Sequence, residues 1–186
     1  MVVYRDGWGG MVSPAPQGTA GRRLGQWMML AMWGLVLVGL TYFFNGWLER
    51  QLNPNQQLAS RPTDAGGAEV ILERNRYGHY VASGRINHHE VVFLLDTGAT
   101  DISIPAAVAR RIGLRHGAAH KAVTANGVIE VHATRLDSVE LGAIVLEDVR
   151  ASINPYMGGG EILLGMSFLR QLDFSQTGDR LTLRQR

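Results

Sequence analysis

The apolar run Val91-Val92-Phe93-Leu94-Leu95 ends abruptly in Asp96-Thr97-Gly98-Ala99-Thr100, and a second run, Asp101-Ile102-Ser103-Ile104-Pro105, follows at once. A strand that passes straight into an acidic residue and then Thr-Gly carries one carboxylate to the mouth of a tight turn. The flanks are too apolar for an ordinary solvated loop, so this carboxylate stands at the edge of a core. Burying a lone ionised carboxylate is costly unless something shares its charge or its proton. One chemistry built on that cost is the activation of water by two carboxylates that hold a single proton between them. Asp and Gly also form turns for purely local reasons. The tripeptide therefore takes its meaning from what surrounds it.

A chain of 186 residues has room for one ordinary domain and additional segments. The formal net charge is +2, and the basic clusters are no longer than Arg22-Arg23 and Arg110-Arg111, which argues against a nucleic-acid partner. With no cysteine, disulfides, thiolate metal sites and a cysteine nucleophile are excluded. The histidines His79, His88, His89, His116, His120 and His132 show no metal-ligand spacing, so neither a metal nor another cofactor is expected.

One segment bears on location. Trp27 to Phe44 carries no charge and only Thr41 as a clearly polar side chain. As a helix rising about 1.5 Å per residue it covers about 27 Å, near the hydrocarbon thickness of about 30 Å. Trp27 at one end and Tyr42 and Trp47 at the other suit the two interfaces. A cleaved signal peptide needs a shorter apolar region and a small-residue site, whereas this segment ends in Tyr42-Phe43-Phe44-Asn45. The expectation is a single-pass, uncleaved anchor in a bacterial inner membrane. Arg22 and Arg23 bias the N-terminus to the cytoplasm and the bulk of the chain to the periplasm.

The expected organisation is a disordered tail (1–26), the anchor (27–44), a flexible polar linker (45–67) and a globular domain (68–186). Within the domain, short β-rich runs alternate with turn signals. Strands are expected at Glu69–Leu72, His79–Ile86 and Val91–Leu95, with a turn at Asn87-His88-His89-Glu90. Two hairpins are expected: Ala122–Thr124 with Val128–Ala133 across Asn126-Gly127, and Ser138–Leu141 with Ile144–Val149 across Gly142. Ile162-Leu163-Leu164-Gly165 reads as a strand into a turn, and Leu181–Leu183 as a closing strand. Helices are expected at Ala106–Ile112 and Ser167–Gln171. The class is all-β with one or two short helices.

Phe93-Leu94-Leu95-Asp96-Thr97-Gly98-Ala99-Thr100 resembles the active-site segment of retropepsin-type aspartic proteases. Two further elements follow in the family's order. Thr124-Ala125-Asn126-Gly127 stands where the family has its substrate-covering flap. Ile162 to Leu169 resembles the apolar-apolar-Gly segment that runs beside the catalytic loop. Together they span about residues 79 to 172, and a preceding membrane span resembles a bacterial, single-lobe, membrane-anchored subfamily. The resemblance implies a closed β-barrel, with Asp96, Thr97 and Gly98 as catalytic residues. It implies that Ala99, Thr100, Leu163, Leu164 and Gly165 support the loop, and that Thr124, Ala125, Asn126 and Gly127 contact substrate. The hairpin departs from many viral members in lacking a run of glycines.

A single Asp-Thr-Gly supplies one carboxylate where the paired mechanism needs two. A two-fold homodimer would bring an identical Asp96 opposite. In that reading Thr97 bonds across the interface and Gly98 permits close backbone approach. Asp101, Asp173 and Asp179 are weaker candidates: alternation turns Asp101 away from the core, and the other two read as helix-end and turn residues. The expected function is a membrane-anchored aspartic endopeptidase acting on proteins or peptides. The rival is a catalytically silent module that binds a peptide or dimerises through the same cleft.

Overall fold

The structure, a computed structural model, describes residues 19–62, 67–124 and 127–185, with side chains from Gly25 onward. The expected tail through residue 18, linker residues 63–66, and Ala125 and Asn126 lie outside the described residues. The chain divides into two compact units, Met1–Phe44 and Asn45–Arg186.

In the first unit the described residues belong to α1 (Thr19–Leu52), whose final turns extend into the second unit. Gly25–Leu52 is one helix long and apolar enough, by length and composition, to cross a membrane. Its apolar residues run all round the axis, with no polar face to lay on a protein core. The helix is longer than the apolar window suggests. It takes in residues 19–26, expected as tail, and Asn45–Leu52, expected as linker. Once a helix is nucleated, each flanking residue adds a hydrogen bond at little further cost, so polar residues are drawn in.

In the second unit a six-membered ring of strands forms the barrel. Its members are β3 (Val81–Ile86), β4 (His89–Leu95), β5 (Ile102–Pro105), β7 (Gly127–Leu141), β8 (Ile144–Asn154) and β9 (Glu161–Leu164). The order is β3-β4-β9-β5-β8-β7, and β7 returns to β3 through Arg85 opposite Glu140 and Ile86 opposite Val139. That last pairing closes the barrel. Two neighbouring pairs run parallel, β4 with β9 and β5 with β8. The strand β6 (Ala119–Thr124) pairs only with β7 and projects as a hairpin. A second, antiparallel sheet contains β1 (Ala59–Pro62), β2 (Ala68–Glu73), β11 (Arg180–Gln185) and β10 (Leu172–Thr177), in that spatial order. Two short helices, α2 (Ala106–Arg111) and α3 (Met166–Leu169), complete the unit.

Alternation determines which side chains fill the barrel. Phe93, Ile102, Ile104, Leu136, Ile153, Ile162, Leu164 and Phe168 are fully buried, and Val70, Leu72 and Leu183 continue the same core from the second sheet. Residues 128–141, expected as two strands, form one, because Thr134, Arg135 and Leu136 keep pairing with β8. β1 and β10 were not expected as strands: β1 is exposed throughout, and β10 buries only Leu172. They are edge strands held by backbone pairing, which polar sequence does not advertise.

The linker expectation is corrected most clearly at Asn53 and Asn55. Asn55 is 4% exposed and forms an isolated parallel bridge with Ala82. Its Nδ2 donates to the carbonyls of Glu73 (2.9 Å) and Val81 (2.7 Å), and its Oδ1 accepts from the Glu73 N–H (2.7 Å). The Ser83 N–H donates to the Asn55 carbonyl (3.1 Å), while Asn53 Oδ1 accepts from the Asn55 N–H and Nδ2 donates to Ser83 Oγ (both 3.0 Å). A buried amide of this kind is stabilising only when its donors and acceptors are paired, and these are. The segment stitches the end of β2 to β3, so the two sheets share one seam.

Candidate active site

Asp96 is delivered by the last residues of β4. The Leu95 N–H donates to the Tyr80 carbonyl (3.0 Å) and the Asp96 N–H to the Leu164 carbonyl (3.2 Å), so the strand is held on both sides up to the acidic residue. The chain then turns, with the Ala99 N–H donating to the Asp96 carbonyl (3.3 Å). The Asp96 carboxylate folds over its own turn, where Oδ1 accepts from the Gly98 N–H at 2.8 Å. This is the Asx geometry that Asp adopts in turns, and it orients the carboxylate before any partner arrives. Asp96 and Ala99 are half-buried, while Thr97, Gly98 and Thr100 are exposed.

The loop is fixed from below by the segment that enters α3. The Met166 N–H donates to the Ala99 carbonyl (2.8 Å) and the Ser167 N–H to the Thr100 carbonyl (2.9 Å). In return Ser167 Oγ accepts from the Ile102 N–H (3.0 Å). Gly165 is required by proximity, because a Cβ there would lie 2.6 Å from the Ala99 oxygen and against the Asp101 carbonyl. Thus Asp96, Ala99, Thr100, Leu164 and Gly165 come together as one hydrogen-bonded unit. Leu163 contributes through strand pairing, opposite Leu94 and Ser103. Thr100 takes part through its carbonyl.

The hairpin residues form a separate group. Thr124 and Gly127 face each other at the last register position, and Thr124 Oγ1 donates to the Gly127 carbonyl (2.9 Å). Next to them Val123 and Val128 are paired across the strands and stand 87% and 63% exposed, an apolar tip.

Sequence reading missed Ser167, Met166 and Arg170. Ser167 is 9% exposed, and a hydroxyl at a helix start beside an apolar-Gly run was the available signal. Met166 and Arg170 join Thr97, Gly98, Ala99 and Thr100 in lining a cavity of about 390 Å³ beside the loop. A wider groove of about 830 Å³, bordered by residues such as Asn53, Leu58, Ser83 and Glu161, includes none of the loop residues. Of the other acidic residues, Asp101 pairs with Arg150 (3.0 Å to Nε) and Asp179 with Arg74 (3.3 Å). Asp173 lies within β10, away from a helix end, because the chain after α3 becomes a strand. Among the described residues no group of three or more His, Cys, Asp or Glu is placed to hold a metal ion.

Fold and loop together define the class, a single-lobe barrel of retropepsin type with one Asp-Thr-Gly turn. Residues 82–171 match the family model described as gag-polyprotein putative aspartyl protease. The crystal structure of a retropepsin-like aspartic protease from Rickettsia conorii is similar with a TM-score of 0.52 and 25% identity, over 69% of this chain and 95% of that one. An uncharacterized protein encoded in the cobV 5′ region of Sinorhizobium sp is 32% identical, over 66% of this chain and 54% of the relative. An uncharacterized protein of Rickettsia prowazekii is 30% identical, over 55% of this chain and 45% of the relative. The chain spans about half the length of these curated relatives. In fold it is retropepsin-like, and over residues 82–171 its sequence is similar to that family.

Proposed function

We propose that the chain is a membrane-anchored aspartic endopeptidase that works as a homodimer, with one Asp96 from each copy. The observation that carries the reading is the Asp96 carboxylate, half-buried, oriented by the Gly98 N–H and held in a loop bonded to Leu164 and Met166. One carboxylate of the pair, protonated, polarises the peptide carbonyl, and the other, ionised, takes a proton from the attacking water. The exposed Thr97 meets its counterpart across the two-fold axis. The exposed Val123 and Val128 at the hairpin tip close over the peptide, with Ala125 and Asn126 between them in sequence. The α1 span anchors the chain in a bacterial inner membrane, with the barrel in the periplasm.

The test is cleavage of a denatured protein substrate by the purified full-length chain in detergent, with and without a statine-type inhibitor. Inhibitor-sensitive cleavage that disappears in Asp96→Asn supports the reading. A pure preparation that binds peptide but never cleaves it points to the silent-module alternative. Two carboxylates sharing one proton act over a window bounded by two macroscopic titrations, so the rate peaks on the acid side of neutrality. A rate still rising above neutral pH would sink the shared-proton mechanism.

A further inference from the structure

The turn that joins β2 to β3 is built onto the end of α1. Asn75 Nδ2 donates to the Leu52 carbonyl and Arg76 Nη1 to Gln51 Oε1, both at 3.0 Å. Leu52 is the last helical residue, so Asn75 pairs a carbonyl that the helix itself leaves open. The same side chain sets the turn. Its Oδ1 accepts from the Tyr77 N–H (2.9 Å) and the His79 N–H (3.0 Å), and the Gly78 N–H donates to the Asn75 carbonyl (3.0 Å). Arg76 and Tyr77 are held exposed at its tip, with the guanidinium 5.2 Å from the centre of the Tyr77 ring.

Chain length sets how far this tip can stand from a bilayer that α1 enters. Residues 45–52 are the helical start of the second unit, and Asn45 follows Phe44, the last residue of the apolar segment. At about 1.5 Å per residue, Gln51 stands about 9 Å along the helix from Asn45. The polar headgroup layer adds about 5–8 Å on each side of the hydrocarbon. Tilt of the span only brings Gln51 closer. Arg76, bonded to Gln51, is therefore within reach of the outer headgroups whichever way the rest of the domain turns.

The chemistry of the tip suits that level. A Tyr ring sits well among headgroups, and an Arg fork binds phosphate through paired, charge-assisted hydrogen bonds. Arg76 commits one of its five N–H donors to Gln51, and among the described residues it forms no ion pair. The neighbouring carboxylates of Glu73 and Asp179 are paired with Arg180 (3.8 Å) and Arg74 (3.3 Å). Against the cations Arg50 and Arg76 stands Glu49, which borders the wider groove.

We propose that the Arg76-Tyr77 turn is a lipid-docking element that seats the barrel on the phosphates of an anionic bilayer. The inference rests on the reading of α1 as a membrane span and extends it from a tether to a seated domain.

The experiment uses the full-length chain in vesicles of phosphatidylcholine mixed with phosphatidylglycerol, or of phosphatidylcholine alone. Because the chain has no cysteine, a nitroxide can be attached at one position at a time through His79→Cys, His88→Cys or Leu37→Cys. Relaxation by dissolved oxygen, which favours hydrocarbon, and by a water-soluble nickel chelate reads the depth of each label. The label at position 37 checks the span, and the one at position 88, beyond the far end of β3, is the aqueous reference. In mixed vesicles the label at position 79 should read at the phosphate level, and phosphatidylcholine alone should weaken that contact. Arg76→Ala should lower its docked-to-free ratio about fivefold, the worth of one Arg at an anionic surface. Arg76→Lys should keep most of the contact, and so should Gln51→Ala, which breaks the same hydrogen bond but keeps the charge. Equal losses from Gln51→Ala and Arg76→Ala would mean that Arg76 only braces the turn, which overturns the proposal. A label at position 79 that reads bulk water while the one at position 37 lies deep overturns the docking and leaves the span intact. Shielding from oxygen and nickel alike, indifferent to lipid charge, means that a second copy covers the turn and also overturns it. A label at position 37 open to nickel overturns both the span and the docking.

Discussion

A side chain on Gly165 would place its first carbon 2.6 Å from the carbonyl oxygen of Ala99. The loop that holds Asp96 therefore rests directly on the backbone of the α3 segment, with no room for a methyl group. Gly165→Ala forces one backbone away from the other. Overpacking of this kind costs about 1–3 kcal/mol, so thermal unfolding should shift downward and activity should fall with it. A variant that melts and cleaves like the wild type would contradict the close contact.

Asp96→Asn keeps the shape of the turn, because the amide oxygen still accepts from the Gly98 N–H. Stability should change little, while turnover should drop by at least about a hundredfold through loss of the general base. Peptide mass spectrometry after long incubation measures it. Retained turnover in a pure sample would remove Asp96 from the mechanism.

Asn55→Ala removes an amide whose partners are the Glu73 N–H and the Glu73 and Val81 carbonyls. Each buried group left without a partner costs about 1–3 kcal/mol, so the loss should be among the largest for any polar substitution here. The same reasoning applies to truncation. A fragment beginning at Asn45 should fold cooperatively, whereas one beginning at Ala68 should melt far lower. Equal melting temperatures would mean that the seam contributes nothing.

Shared catalysis has a concentration signature. On the proposed reading, in which two chains build one site, diluting the full-length chain in detergent should lower activity per molecule and concentrating it should restore it. Adding Asp96→Asn protein should reduce wild-type activity in proportion to the mutant fraction, since mixed dimers carry a single carboxylate. Activity per molecule that is indifferent to dilution, from a species sedimenting as a monomer, would refute the dimer.

Outside the site, Asp148 pairs with Arg135. Their hydrogen bond holds the Asp148 carboxyl below its ordinary value of 3.8. A depressed carboxylate contributes stability above the unfolded-state value and loses it as pH falls through the folded one. The contribution therefore fades below about pH 4, and the group's full exposure keeps it small. Asp148 also sits at φ +56°, a left-handed conformation that Asn accepts well. Asp148→Asn should cost little at neutral pH and flatten the acid end of the stability profile. Urea midpoints across pH 2.5 to 7 would show it, and an acid limb identical to wild type would disprove it.

The elements that sequence revealed are those whose side chains carry the pattern. Val91–Leu95, Ile102–Pro105 and Ile162–Leu164 alternate or run apolar because the barrel buries them, and the Asp96 turn lies between two of them. Asn126-Gly127 marks its hairpin by turn chemistry alone. Where backbone bonds do the holding, the pattern is silent. β1 and β10 pair at sheet edges with little burial, and Asn53 and Asn55 look like linker residues until their amides are seen between β2 and β3.

The bond between the Ile102 N–H and Ser167 Oγ joins residues separated by 65 positions, and β4 meets β9 across a similar interval. Contacts of such long range form late, after the loop between them has paid its closure entropy. During synthesis the strand bearing Asp96 therefore emerges well before the segment that supports it. A chain still being made has the acidic residue but no loop to hold it. The supported loop is therefore complete only when nearly the whole barrel exists, a consequence of topology alone.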